Sequence, residues 1–514
     1  MAKDYLTQFL PDLEEFKEKT MQFHNGEMTV AAYKSFSGGF GSYAQRGGKK
    51  HMLRLRMAGG RLTKERLKFI VTRCEKYGID RLKMTTCQSI QLHNLEADDL
   101  CLLMEEAWRA GMISRGGGGD FPRNVMASPL SGVQKSEFFD VMPYAEAAGE
   151  YLMDFIKAVK FPRKLKVCFS NSPENETHAT FRDLGFTARA DHTFDVYIAG
   201  GLGIKPALGI CAAKKVPPKK ILYYIKAMVN TFITYGNFEN RSKARTRFMQ
   251  ETLGKDGLLA AYQEQLDKVF VKEALDLHIP IHEITKQGSE RPISNKRIIP
   301  QKQEGLYSVF YQPIGGNLTP AKAAQLYQLI EPMEDVEIRL TPQEGMYLIN
   351  CNAEEAQAVL DATDDGARNL FETSTACIGA SICQVGIGDS QSLLSACINA
   401  VRKENFADGV LPKIYISGCP SSCGTHQIGT LGFRGGIRQT PSGPESAFAV
   451  FEGGCPLQGK EILADMGKSI LVKDLPAFLV ELGKMITADN SRYEQWIALH
   501  HEKFAQLLDQ YTSS

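Results

Sequence analysis

The sequence predicts a mixed fold, α/β and α+β, organised around an internal repeat, and three observations predict it. A unit of strand, Gly-Gly, helix and strand occurs twice, at 51–95 and again at 306–351. After each copy comes a region in which short apolar strand-like runs alternate with helix-like ones, the pattern of a layered α/β unit. The last of these regions carries four cysteines in two close pairs.

The first copy reads M-L-R-L-R-M-A-G-G-R-L-T, then a helical stretch 64–77, then R-L-K-M-T-T-C-Q-S-I-Q-L-H-N-L. The second reads Y-S-V-F-Y-Q-P-I-G-G-N-L-T-P, a helical stretch 321–330, and V-E-I-R-L-T-P-Q-E-G-M-Y-L-I-N. Gly59-Gly60 and Gly315-Gly316 occupy matching places, and Thr63 and Thr319 follow them as helix N-caps. Two distant copies are too few for a solenoid, so they are expected to pair into one pseudo-symmetric domain.

The rest of the chain is divided by these copies. An N-terminal extension covers 1–50, the first half-repeat 51–113 and a first α/β domain 114–302. That domain holds the glycine run Arg115–Asp120, strand-like runs at 165–169 and 194–204, and a helix at 219–235. The polar, proline-containing stretch 287–303 reads as the connector into the second half-repeat, 303–366. A second α/β domain, 367–514, contains a strand at 413–417 and a helical C-terminus.

Composition excludes several classes of function. The 514 residues are 43% hydrophobic and 23% charged, ordinary for a globular protein with several cores. A net charge of +1 does not suit a bulk polyanion such as nucleic acid. No apolar run approaches a membrane span, and the N-terminus lacks the apolar segment of a signal peptide. With twelve cysteines and no export signal, a reducing cytoplasm is the expected compartment.

Cys377 and Cys383 bracket C-I-G-A-S-I-C, and Cys419 and Cys423 bracket C-P-S-S-C. Four thiolates in two close pairs are what an iron–sulfur cube needs, one soft ligand per iron. The spacings are not those of a zinc ribbon or of a ferredoxin C-x2-C run. Basic residues gather on short segments elsewhere. Arg54 and Arg56 alternate along one strand, Arg123 follows the glycine run, and Arg163, Lys164 and Lys166 form P-R-K-L-K. Arg241, Lys243, Arg245 and Arg247 alternate in N-R-S-K-A-R-T-R. Taken singly, each is a solvated face; together they suit a pocket for a small oxyanion or a carboxylate-rich cofactor. Gly200, Gly201 and Gly203 would let the backbone approach such a ligand, whereas the dinucleotide reading of G-G-L-G lacks its third glycine and acidic partner.

From about Gly41 to Ile470 this combination resembles the siroheme-dependent sulfite and nitrite reductases. The most specific shared features are C-x5-C with C-x3-C, R-N-V at 123–125, P-R-K-x-K, and G-G-x-G ahead of N-R-x-x-A-R. The resemblance implies two ferredoxin-like half-repeats and two α/β domains that bind siroheme and a [4Fe–4S] cluster. It implies that Cys377, Cys383, Cys419 and Cys423 hold the cluster, with Cys423 also bridging to siroheme. It assigns the anion to Arg54, Arg123, Lys164 and Lys166. It places Lys83, Thr85, Cys87, Gln91, His93, Arg163, Arg241, Arg245 and Arg247 at or beside siroheme. Sulfite reduction to sulfide is the first expectation, because members favouring sulfite tend to have Lys where Lys166 stands; nitrite reduction to ammonia and a non-catalytic subunit are the alternatives. No flavin or second cluster segment is visible, so electrons are expected from an external ferredoxin or flavoprotein. The chain departs from the family at Cys87, where T-[TN]-R-Q has Arg, at Ser421 in the C-P-N-x-C motif, and in the glycine run 116–119, which reads as a looser loop.

Overall fold

The computed structural model describes residues 4–280 and 283–512. Its centre is a pair of five-stranded sheets built by the two half-repeats. In the first, His51–Leu55 and Leu82–Met84 both run antiparallel to Ile90–Leu95, which lies between them. The strand–helix–strand pattern therefore forms a split unit: the two strands flanking helix Lys64–Lys76 do not touch. The second sheet repeats this with Tyr307–Tyr311, Glu337–Leu340 and Met346–Cys351 around helix Pro320–Ile330.

The halves are stitched by exchange. The short strand Arg61–Leu62, just after the first Gly-Gly, pairs with Glu337–Leu340 of the second sheet. Asn317–Leu318, after the second Gly-Gly, pairs with Leu82–Met84 of the first. Gly59, Gly60, Gly315 and Gly316 all have positive φ, between 58° and 71°, which turns the chain out of its own sheet into the other. Thr63 and Thr319 then cap their helices, accepting from the backbone N–H three residues on. One apolar core runs under both sheets, through Leu53, Leu92, Val309 and Leu348.

The N-terminal helices Tyr5–Phe9, Asp12–His24 and Val30–Ser37 join this core through Phe9, Phe16 and Phe36, Phe40 follows them into it, and Ser42–Ala44 adds an edge strand to the first sheet. Within the connector, Ile298–Pro300 forms the matching edge strand of the second.

Each α/β domain has its own sheet, and the two sheets share one topology. Met126–Ala127, Val167–Ser170 and Leu184–Ala188 are parallel neighbours, followed by antiparallel Phe194–Ile198 and Ile210–Val216. Thr375–Ala376, Ile414–Ser417 and Leu431–Thr440 are likewise parallel, followed by antiparallel Gly443–Glu452 and Asp465–Leu471. The pseudo-symmetry thus extends beyond the half-repeats to both α/β domains. Among the described residues no helix is long and apolar enough to cross a membrane.

Candidate cofactor and anion site

The site forms where the first half-repeat and both α/β domains meet. Arg54 leaves its strand and donates to the Gly117 carbonyl at 2.7 Å, and Arg123 donates to the same oxygen at 2.5 Å. One carbonyl of the glycine run thus aims two guanidiniums. Arg56 clamps the run from behind through the carbonyls of Arg115, Pro122 and Arg123. The expectation of a loose loop is corrected here. Gly116 and Gly119 donate to Gly39 O and Tyr43 Oη, both at 2.8 Å, and a Cβ on Gly117 would lie 2.8 Å from Ser114 O. The glycines are there for close approach, which pins the run.

Lys164 and Lys166 lie just before strand Val167–Ser170. Burial depresses both ammoniums; at Lys164 neighbouring cations add strongly to it, and at Lys166 Cys87 opposes it while Arg182, Arg245 and Arg123 add to it. Burial, with Arg54 beside it, likewise brings Arg123 down to about 10. Four cations gathered with Cys87 as the anionic group beside them are the electrostatic signature of a site made for an anion. Cys87 lies among them, its Sγ 3.3 Å from Lys166 Nζ. Burial alone would raise this thiol, but Lys166, Arg182 and Arg123 outweigh it and bring it to about 6.

Beyond this quartet, Arg245 forks onto both oxygens of Asp183, at 3.0 and 2.9 Å, and Asp183 also accepts from the Lys166 backbone N–H. Arg247 Nη1 and Arg245 Nε are buried without partners. Gly201 and Gly203 lie against these arginines: a Cβ on Gly203 would be 3.1 Å from Arg247 Nη2. Gln427 of the second α/β domain bonds both the N–H and the C=O of Gly203, at 2.8 and 2.7 Å, and so fixes this glycine turn against the other domain. Gly200 packs against the Arg182 carbonyl.

Other predicted residues have structural partners. Lys83 is buried in an ion pair with Glu344 at 2.6 Å. Thr85 Oγ1 accepts from the N–H groups of Cys87 and Ser89. Gln91 lies between Arg54 and His93. His93 is driven down to about 3 by burial and by Arg81, Lys83 and Arg54, so it is neutral. Arg163 and Arg241 share Asp120, and Arg241 is exposed.

The four cysteines come together around Cys423, whose thiol is raised by burial and by Cys419 and Cys383. Cys377 is raised to about 12 by burial and by Cys423. Its Sγ accepts from the Gly418 N–H at 3.1 Å and lies 3.0 Å from Ser390 Oγ. All four thiols are free. Among the described residues no group of three His, Cys, Asp or Glu side chains closes on one ion position. Mutually repelling thiolates need a compensating cation, and a cluster of irons supplies it. Unpartnered N–H groups of Arg245 and Arg247 beside a glycine cradle likewise suit a ring of carboxylates.

Sequence reasoning missed Arg182, Asp183 and Glu344, and it missed the two links that tie the motifs together. Thr86 Oγ1 donates to the Cys423 carbonyl at 2.8 Å, and Arg46 donates to the carbonyls of Cys383 and Gly386. Only the R-D pair ahead of a strand signalled any of these.

Comparison with known proteins agrees with this geometry. The nitrite and sulphite reductase 4Fe-4S domain matches residues 118–270, and the nitrite/sulfite reductase ferredoxin-like half domain matches twice, at 43–107 and 299–365. The chain belongs to the nitrite and sulfite reductase family. It is therefore an oxidoreductase that reduces nitrite or sulfite, with siroheme and a [4Fe–4S] cluster as cofactors. It is 25% identical over 451 residues to the chloroplastic ferredoxin–nitrite reductase of Zea mays, covering 84% of this chain and 78% of that one. It is 23% identical over 406 residues to sulfite reductase [ferredoxin] 1 of Mycolicibacterium paratuberculosis, covering 75% and 70%. The solved Mycobacterium tuberculosis NirA protein shares the fold, with a TM-score of 0.77 at 20% identity over 97% of this chain and 96% of that one. The 4Fe-4S domain match falls on the first α/β domain, whereas the four cysteines lie in its structural twin.

Proposed function

We propose that this enzyme reduces sulfite to sulfide, with Arg54, Arg123, Lys164 and Lys166 holding the anion. Cys377, Cys383, Cys419 and Cys423 would hold the cluster. Arg245, Arg247 and the turn Gly200–Gly203 would meet siroheme's carboxylates, and siroheme with the cluster would supply the electron-transfer chemistry. The convergence of Arg54 and Arg123 on the Gly117 carbonyl carries this reading, since it preorganises two planar donors before any anion arrives. Sulfite takes up six electrons and seven protons to give hydrosulfide and three waters. The cations offset the anion's charge and polarise each departing oxygen. Lys164 and Lys166, depressed by burial, give up protons more readily than exposed lysines and are the donors. An external ferredoxin is the fitting electron source, by analogy with relatives named for it.

The contact between Cys87 and Lys166 favours a second reading, nitrite reduction to ammonia. A thiolate at Cys87 cancels one cation and tilts the site toward a singly charged anion. The deciding measurement is kcat/KM for each anion with reduced viologen and siroheme-loaded protein. Sulfite is expected to win with sulfide as product; turnover of nitrite alone would replace the first reading with the second.

A further inference from the structure

Two consecutive residues of the N-terminal segment clasp the loop that carries Cys383. Arg46 donates its backbone N–H to the Ile382 carbonyl at 2.7 Å. Its Nη2 donates to the carbonyls of Gly386, at 2.7 Å, and of Cys383 itself, at 3.2 Å. Gln384 returns a bond from Nε2 to the Gln45 carbonyl at 3.5 Å. The base of the clasp is fixed in the first half-repeat. Gln45 is buried, its Oε1 accepts from the Asn94 N–H at 2.9 Å, and its Nε2 donates to Asn94 Oδ1 at 2.8 Å. His93 Nδ1 lies 3.1 Å from the same Gln45 oxygen.

The internal symmetry supplies a control for this clasp. Ser42–Ala44 and Ile298–Pro300 are matching edge strands, so Gln301 and Lys302 are the counterparts of Gln45 and Arg46. Lys302 donates its N–H to the Val133 carbonyl at 2.9 Å. Val133 follows strand Met126–Ala127 at the distance at which Ile382 follows Thr375–Ala376. The backbone contact is therefore the same in both copies, and the side chains part company. Lys302 Nζ is ion-paired with Glu137 at 2.6 Å, and Glu137 stands where the second domain has Gly386. Arg46 has no carboxylate partner among the described residues, and its guanidinium ends on two neutral carbonyls. The clasp is neutralised in the copy without the paired thiols and left cationic in the copy that has them.

We propose that Arg46 is a positioning residue for the iron–sulfur cluster, pinning the Cys383 loop and leaving an uncompensated cation there that raises the cluster's reduction potential. This rests on the reading of Cys377, Cys383, Cys419 and Cys423 as cluster ligands. A cluster held by four thiolates is anionic, and an added electron makes it more so, so a nearby cation stabilises the reduced form more than the oxidised one. A guanidinium keeps its charge at any working pH, and its planar fork spans two carbonyls where an ammonium offers a point charge. Arg46 is exposed, so salt screens its contribution.

The test is the cluster's midpoint potential in cofactor-loaded wild type, Arg46→Lys, Arg46→Gln and Lys302→Gln. It is read by redox titration followed through the paramagnetic resonance signal of the reduced cluster, at low and high salt. Arg46→Gln is expected to weaken the cluster's hold on its electron roughly tenfold, a downward shift of about 59 mV for one electron. The shift should shrink at high salt. Arg46→Lys, which keeps the charge, should shift less, and Lys302→Gln should match wild type. An unchanged potential in Arg46→Gln overturns the proposal. So does an equal shift in Arg46→Lys and Arg46→Gln, or an equal shift in Lys302→Gln. If Arg46→Gln does not load the cluster, Gln384→Glu is read in its place. A carboxylate there gives Arg46 the kind of partner that Lys302 has in Glu137, and the potential should fall; an unchanged value overturns the proposal. A loaded wild type that shows no cluster signal overturns the cluster reading itself, before any variant is compared.

Discussion

The loop after strand Val167–Ser170 and the loop after strand Ile414–Ser417 are two copies of one backbone. Each has proline three residues past its serine, at Pro173 and Pro420. Each then takes left-handed turns at matching places, Asn175 and Ser422 at φ 49° and 53°, and His178 and Thr425 at 58° and 56°. Gly185 and Gly432 follow, and a side chain on either would strike the carbonyl of the matching residue, Ala179 or His426. Only the side chains differ. The second loop carries Cys419 and Cys423; the first carries Ser172 and Glu176. The fold therefore offers the same cradle twice, and only the second copy carries the thiols that an iron–sulfur cluster needs. The cations divide the other way: Arg54, Arg123, Lys164 and Lys166 come from the first half and face the cysteines of the second, while of their counterparts Phe310, Glu372, Leu411 and Lys413 only the last is a cation.

The sharpest way to break this comparison is to remove the thiol from the working copy. Cys423→Ser should abolish the cluster's visible absorption and take anion reduction below detection, since a hydroxyl is a poor ligand for iron–sulfur clusters. Ser172→Ala, at the twin of Cys419, should leave cofactor content unchanged. Equal cofactor loss in both variants would show that the two loops are not functionally divided.

A smaller effect sharpens the contrast between Lys166 and its twin Lys413. Lys166→Met should cost about 10²–10³ in kcat/KM, the usual loss when one preorganised donor is removed. The same variant reports on Cys87 in apoprotein. Above its folded value of about 6 the thiol is ionised, so alkylation by iodoacetamide should rise through that pH and then level off. Without Lys166, the midpoint should move up toward the ordinary thiol range near 8.5. A midpoint that stays put would show that Lys166 does not hold the thiolate.

Much of this was legible in the sequence because it depends on local spacing. The Gly-Gly turns, the Thr63 and Thr319 caps and the cysteine pairs are all short-range patterns, and the half-repeats followed from them. The exchange of Arg61–Leu62 and Asn317–Leu318 between sheets was not legible, since a two-residue strand has no periodicity to read. The likeness of the two α/β domains was hidden for a related reason: it lies in φ angles and strand order, and almost no residue types are shared. Among site residues, the cations showed as runs but their aim did not. Gly117 contributes a carbonyl, which every residue possesses, and Glu344 is a lone acid whose meaning comes only from buried Lys83.

The smallest effect tests whether the halves diverged in stability as well as chemistry. Asn94 and Asn350 end equivalent strands, both at φ 63°, where glycine fits without strain. Asn94 is bound on both sides: its oxygen accepts from Gln45 at 2.8 Å and its nitrogen donates to Asp80 at 2.7 Å. Asn350 makes one bond, to Asp335 O at 3.0 Å, and its amide oxygen is buried without a partner. Asn94→Gly should therefore cost about 1–2 kcal/mol through two lost hydrogen bonds. Asn350→Gly should cost under about 1 kcal/mol, because it also removes an unsatisfied polar atom. Thermal midpoints of the loaded variants read this directly, with the larger drop expected for Asn94→Gly. Equal drops would mean that the Gln45 contact, which anchors the N-terminal segment beside Arg46 and the Cys383 loop, contributes nothing that the second half lacks.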